Sequence, residues 1–211
     1  MPKARSYRLL CPIARALDRI GDRWALLILR DLHAGPARFG ELDRGLPGLA
    51  TNLLTTRLET MVADGLIERR TAGKAIVYAL TAAGERTAPL LFELAMWGAQ
   101  WPPPTDPRAP GNLRTVVVTL SEILRRAATS DDALDLELVV DEERFGIVVG
   151  GGNVSVRYGA RPEAPDAMRT QYEAFMAAGD GRLSPQEFLA KHVVVERGDG
   201  AAIEEFLRLL R

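Results

Sequence analysis

Cysteine and histidine are nearly absent from this chain of 211 residues, and each shortage excludes a class of protein. Cys11 stands alone, so no intramolecular disulfide framework is possible, and with only His33 and His192 beside it there is little from which to build a zinc site. No stretch approaches the roughly 20 uncharged apolar residues that cross a bilayer. The basic residues between Met1 and Leu10 are not followed by a signal-type apolar segment and cleavage site. A cytoplasmic protein with no membrane partner, metal or cofactor is therefore expected. Catalytic patterns are missing too. Neither histidine lies near a plausible Ser or Cys nucleophile in sequence, and no cluster of acids and bases proposes a reaction, so no enzyme is expected. Asp180-Gly181-Arg182-Leu183-Ser184 through Glu187 copies the second half of a calcium loop, but Met176 and Ala178 stand where the first carboxylates belong. Gly150-Gly151-Gly152-Asn153 lacks the helix and Lys-Ser/Thr of a phosphate cradle and reads as a hairpin turn.

What is present is unevenly spread. The net charge is -1, yet residues 1–101 carry 14 Lys and Arg against 10 Asp and Glu, whereas residues 102–211 carry 13 against 18. A mildly basic first part suits a polyanionic partner. Between Pro102 and Gly111 the run PPPTDPRAPG removes backbone donors and holds the chain extended. Residues 102–111 therefore read as a linker between a domain over 1–101 and another over 112–211.

The first domain is mostly helical in pattern. Ile13, Leu17 and Ile20 mark a short amphipathic face, and Trp24 to Leu32 is apolar nearly all round, as expected of a central helix. Arg38 to Leu46 reads as a short helix ended by Leu46-Pro47-Gly48. From Thr51 to Ala63 the residues Leu54, Leu58, Met61 and Val62 recur at helical spacing, and Asp64-Gly65 supplies the stop. The period then becomes alternating. Leu66 to Arg70 and Ile76 to Leu80 read as a hairpin joined by Thr71-Ala72-Gly73-Lys74, and one last helix is expected over about Ala82 to Trp101. Helix, helix, helix, hairpin, helix is the order of a winged helix-turn-helix.

In such a motif the second helix enters the major groove, so one face must be apolar and the other short, polar and able to bond base edges. With Leu54 and Leu58 turned inward, Asn52, Thr55, Thr56 and Glu59 share the outward side. Thr51 opens that helix, and Arg57 is within reach of a phosphate. Arg38 before the motif and Arg69, Arg70 and Lys74 at the hairpin are candidates for phosphate contacts, which set register without reading sequence. Ordinary solvated residues on a helical domain would look the same one at a time; it is the ordered set that points to DNA. Leu90, Leu94, Trp97 and Trp101 form a stripe that suits domain core or burial against a second subunit. Cys11, preceding Pro12 at a helix start, is either a thiolate favoured by the helix dipole and able to sense oxidants, or a small packing residue.

Several motifs in order carry a family resemblance: Cys11-Pro12-Ile13, Gly21-Asp22-Arg23-Trp24 with Leu27-Ile28-Leu29-Arg30, Arg38-Phe39-Gly40-Glu41-Leu42, Leu54-Thr55-Thr56-Arg57-Leu58, Asp64-Gly65-Leu66-Ile67 and Tyr78-Ala79-Leu80-Thr81. Across about Cys11 to Trp101 the chain resembles the HxlR-type winged helix-turn-helix transcriptional regulators. The resemblance implies a homodimer on a pseudo-palindromic operator, with the first and last helices of the domain at the interface. Where that family starts its recognition helix with Ser-Pro, this chain has Ala50-Thr51, which moves the expected cap to Thr51.

The second half opens on a helical pattern, Leu113, Val117, Leu120 and Leu124. Leu134, Leu136, Leu138 and Val140 then alternate with Asp135, Glu137 and Val139 as a half-buried strand, followed by Phe145 to Val149 and Val154 to Tyr158. Ser184-Pro185-Gln186-Glu187 is a capped helix start, Val193 to Arg197 returns to strand, and Ile203, Phe206, Leu207 and Leu210 mark a terminal helix. From Leu113 to Arg211, on Pro165-Asp166, Gly181-Arg182-Leu183-Ser184-Pro185 and the helix after Gly198-Asp199-Gly200, the chain is similar to sterol carrier protein-2-like (SCP2-like) domains. That similarity implies a twisted sheet backed by helices around an apolar tunnel, with Phe145, Tyr158, Tyr172, Phe175, Phe188 and Phe206 as lining or simply as core. The whole then reads as an α+β, dimeric, sequence-specific DNA-binding regulator, a repressor whose partners are double-stranded DNA, a second copy of itself and an apolar or lipid-like effector. The competing expectations are a redox-sensing regulator through Cys11 and a lipid-binding protein whose winged helix only dimerises.

Overall fold

The computed structural model describes residues 6–102, 105, 111–179 and 181–210. Most of the proline run, at 103–104 and 106–110, lies outside them, as does Asp180 of the partial calcium loop. The chain divides into two compact units, the first ending at Val118 and the second starting at Thr119. Residues 112–118, expected with the second domain, thus pack in the first unit.

In the first unit the order is α1 (Pro12–Ile20), α2 (Ala25–His33), α3 (Phe39–Gly45), α4 (Thr51–Ala63), β1 (Ile67–Ala72), β2 (Ala75–Leu80), α5 (Ala82–Glu85) and α6 (Ala88–Gly98). A 3-10 turn (Leu113–Val116) then leads into α7 (Val117–Ala127). The core forms around α2, whose Ile28, Leu29 and Leu32 meet Leu42 and Leu46 of the α3 region and Leu54, Leu58 and Met61 of α4. Helix α4 stops as Asp64-Gly65 implies. Gly65 takes φ +71, and the N–H groups of Gly65 and Leu66 return to the carbonyls of Val62 and Met61 at 3.0 Å each, a Schellman closure that hands the chain to β1.

Three expectations need correction here. The single helix over 82–101 is broken into α5 and α6, because Pro89 in the first turn of α6 has no N–H to donate and its ring would meet the carbonyl of residue 85 in a continuous helix. Ile13 and Leu17 are exposed, and only Ile20 of that face joins the core. The cap of α4 is Ala50 with no side-chain bond, and Thr51 is the first helical residue, its hydroxyl donating to Asp43 Oδ1 at 3.3 Å.

The second unit continues with β3 (Leu134–Val140), β4 (Glu143–Gly150), β5 (Asn153–Tyr158), β6 (Asp166–Thr170), α8 (Tyr172–Gly179), α9 (Pro185–His192), β7 (Val194–Arg197) and α10 (Ala201–Leu209). Among the described residues the strands form one sheet of order β5-β4-β3-β6-β7, with β3 and β6 parallel and the other neighbours antiparallel. Gly151 and Gly152, both at positive φ, make the two-residue turn that the glycine run suggested. Ser184 accepts from Glu187 N and Glu187 closes the capping box of α9, also as read. Strand β3 is not half-buried. Leu134, Leu136, Leu138 and Val140 form one buried face, and Glu137 and Val139 on the other are buried too, as befits the middle strand. The buried carboxylate is satisfied by Arg144 Nη1 at 3.0 Å and Arg161 N at 2.8 Å. Beside it the forked Arg161 guanidinium (2.6 and 2.7 Å) holds the Asp135 carboxyl below its ordinary pKa.

Candidate nucleic-acid interface

Helix α4 is positioned from behind by side chains that have no access to solvent. Leu54 and Leu58 are 0% exposed, so rotation of the helix about its axis would drag two leucines into water, at about 1.5–3 kcal/mol each. That anchorage leaves Thr51, Asn52, Thr55, Thr56 and Glu59 outward and exposed. The hydroxyls of Thr55 and Thr56 donate back to the carbonyls of Thr51 (3.0 Å) and Asn52 (3.1 Å), which fixes their rotamers while their oxygens stay able to accept. Asn52 Oδ1 takes the N–H of Leu53 at 2.9 Å, which leaves its amide group to donate outward. The helix thus offers donors and acceptors at neighbouring positions on one face, the requirement for reading base edges.

The hairpin adds exposed cations to the unit. Strands β1 and β2 pair from Ile67 with Leu80 to Ala72 with Ala75, longer than expected, so that Gly73 (φ +60) and Lys74 alone form the turn. Lys74, Arg69 and Arg70 are exposed along it. Arg70 bonds Glu68 through Nε at 2.7 Å, but both side chains are about half exposed, and such a surface pair is worth roughly 0–1 kcal/mol, too little to keep the guanidinium from a phosphate. Arg38 is exposed just before α3, where its N–H donates to Glu41 Oε2 at 2.6 Å. The hairpin is tied to the helical body through Ala37 and Tyr78, whose N–H and carbonyl groups exchange bonds of 2.9 and 2.8 Å.

Arg57 departs from the expectation. It flanks the buried stripe of Leu54 and Leu58, and its Nη2 sits 2.7 Å from Asp22 Oδ2 with the side chains 30% and 27% exposed. A guanidinium paired there braces α4 against the segment before α2. Arg57→Met is accordingly expected to leave the slope of DNA affinity against salt unchanged, whereas Lys74→Ala lowers it by about one phosphate contact per subunit. Titrations at several salt concentrations check both.

Residues 19–106 match the family model of the HxlR-like helix-turn-helix. The uncharacterized HTH-type transcriptional regulator sll1512 of Synechocystis sp. is 35% identical over 95 residues, spanning 44% of this chain and 70% of its own. YvaP of Bacillus subtilis, also named an uncharacterized HTH-type transcriptional regulator, is 33% identical over 100 residues, 46% of this chain and 93% of its own. The chain belongs to the HxlR-like helix-turn-helix family. Among solved structures, the redox regulator HypR in its oxidized form aligns at 28% identity over 44% of this chain and 100% of that one, with a TM-score of 0.42.

The HxlR-like unit leaves much apolar surface open. Leu90, Leu94, Trp97 and Trp101 are all exposed, Trp97 at 61%, with the two indoles edge to face at a centroid distance of 4.5 Å. Tyr7, Leu9, Leu10, Ile13 and Leu17 ahead of and on α1 are exposed as well, Leu10 at 97%. Cys11 is free and exposed at the N-cap of α1 and makes no capping bond.

In the second unit Phe145, Phe188 and Phe206 are fully buried, and Tyr158, Tyr172 and Phe175 half-buried. Phe145 and Tyr158 meet edge to face at 5.6 Å. Two open clefts have mixed polar and apolar walls. One, of about 440 Å³, is walled by Asp141, Arg169, Gln171, Lys191 and His192 among others, and the second, of about 150 Å³, by Arg157 and Arg161 with Tyr158 the one member of the aromatic set. Residues that the sequence did not single out include Asn112 and Arg114, both buried in the first unit. Their partners lie some 70 to 80 positions away, and no local pattern signals a contact at that separation.

Proposed function

We propose that the protein is a sequence-specific DNA-binding transcriptional regulator that acts as a homodimer, with α4 as its recognition helix. The observation that carries this reading is the outward set Asn52, Thr55 and Thr56 held over two fully buried leucines. These three, with Thr51 at the helix start, read base edges, and Arg38, Arg70 and Lys74 hold phosphates on either side. Leu90, Leu94, Trp97 and Trp101 bury against the partner subunit, which sets two copies of α4 at successive major grooves, about 34–36 Å apart. The relatives' names support regulation of transcription. Repression, through occupancy of an operator, is the simplest output of such a dimer.

The second unit is the effector module of this reading. A five-stranded sheet with α10 packed on β3 and β6 suits the SCP2-like layout, and an apolar ligand lodged among the aromatic set would alter dimer geometry and hence the spacing of the recognition helices. Selection of duplexes from a random-sequence library by the full chain tests the central claim. A defined half-site should emerge, and Asn52→Ala or Thr56→Ala should weaken its binding by about 5-fold to 150-fold, the range for one to three kcal/mol of base contact, with the fold intact. Recovery of random sequence, or variants that bind as tightly as the parent, would count against it.

A further inference from the structure

The segment after the proline run is built into the helix-turn-helix. Gly111 passes so close to the end of α3 that a Cβ there would overlap the carbonyl oxygen of Arg44. On the facing side a Cβ on Gly45 would lie 2.8 Å from both Asn112 Nδ2 and Asp31 Oδ2. Glycine at 111 lets the two backbones approach this closely, and glycine at 45 leaves room for the Asn112 and Asp31 side chains. Asn112 Nδ2 donates to the carbonyl of Glu41 within α3 at 3.0 Å, and its Oδ1 accepts from Arg114 N at 3.2 Å.

Arg114 is 2% exposed, a placement that is costly for a guanidinium unless its N–H groups are satisfied. Nε donates to the carbonyl of Asp31 at 3.1 Å, and Nη2 to the carbonyls of Gly35 and, at 3.2 Å, Pro36. Those carbonyls belong to the last turn of α2 and the loop after it, where unpaired oxygens and the negative end of the helix dipole both favour a cation. The buried Asp31 carboxyl stands close by, bonded by Arg30 Nε at 2.8 Å. Burial holds its pKa above the usual carboxylate range, and the charges of Arg30 and Arg114 offset only part of that rise. Leu113, Val117 and Val118 are buried alongside.

One side chain therefore fixes the end of α2 and the loop leading to Ala37, the residue to which the hairpin is bridged through Tyr78. Its neighbour Asn112 fixes α3, from which the chain turns into α4. We propose that Arg114 and Asn112 are positioning residues for DNA recognition, setting α4 and the hairpin in register with each other although neither touches the duplex. The family match ends at residue 106, before this segment. The inference rests on α4 being the DNA-reading helix.

The test uses the full chain and two duplexes of equal length at one salt concentration: the sequence that the parent selects from a random library, and a scrambled version. The readout is the ratio of the two affinities, which loss of folded protein alone would not change. Arg114→Met should lower the ratio by about tenfold, Asn112→Ala by about threefold, and Arg114→Lys should recover part of the loss because an ammonium reaches some but not all of the carbonyls. Binding to the scrambled duplex should persist. A fall of less than about threefold for Arg114→Met overturns the proposal. If that variant does not fold, a ratio within about 1.5-fold of the parent for Asn112→Ala and Arg114→Lys overturns it instead. A parent chain with no sequence preference would sink the recognition reading itself, which is a different result from a preference that the variants keep.

Discussion

Raising the salt concentration from about 50 to about 200 mM is expected to weaken binding of the dimer to its duplex by about a thousandfold. Arg38, Arg70 and Lys74 are exposed; on the proposed reading each holds one phosphate, which would make roughly six phosphate contacts in a dimer. Each contact releases condensed counterions, and a slope near -0.9 per phosphate over this fourfold change in salt gives about three decades. The Glu68 partner of Arg70 does not reduce the count much, because an ion pair this exposed yields readily to a phosphate. Fluorescence anisotropy across a salt series measures the slope. A value shallower than about -2 would mean that the winged unit does not grip a duplex, and would favour a lipid-binding protein that uses the unit only to dimerise.

The second large effect concerns Trp97. Trp97→Glu is expected to turn the dimer into a monomer and to lower operator affinity by about 10² to 10⁴. At 61% exposure the indole contributes little to the core of its own subunit, so the fold should survive the change. Buried at a subunit interface, the introduced carboxylate would have to give up its water without a partner, a penalty of several kcal/mol. A monomer then holds one half-site only and loses the gain from tethering the second. Analytical ultracentrifugation gives the mass and anisotropy the affinity. A variant that sedimented and bound like the parent would place the interface elsewhere, with the exposed Leu10 and Ile13 as the next surface to change.

Much of this fold is legible from side-chain period alone. Leu54, Leu58 and Met61 recur at helical spacing and face the core together, and Asp64-Gly65 ends their helix by the only backbone route that a left-handed residue opens cheaply. The same is true of the glycine turn between β4 and β5 and of the Ser184 cap, since turns and caps are decided within a few residues. Strand β6 and helix α8 escaped the reading. Asp166 to Thr170 is short, mixed in polarity and fixed by pairing with β3, which lies almost 30 residues earlier.

The candidate site divides along the same line. That Asn52, Thr55 and Thr56 share an outward face follows from the 100° step of a helix once its leucines are known to be inside. Arg57 sits on the same helix and has the chemistry of a phosphate contact, yet Asp22 takes it, and only the packing of α4 on the segment before α2 decides that.

The order of residues by itself determined where most of the helices and turns form, which face of α4 is polar and that a winged helix-turn-helix belongs to the first half, because these depend on interactions within about a turn of chain. The three-dimensional packing alone decided that residues 112–118 complete the first unit, that Arg114 is buried against the end of α2, and that Ile13 and Leu17 face outward. Those outcomes turn on contacts between distant segments, whose energies depend on what is brought near and not on what is adjacent in sequence.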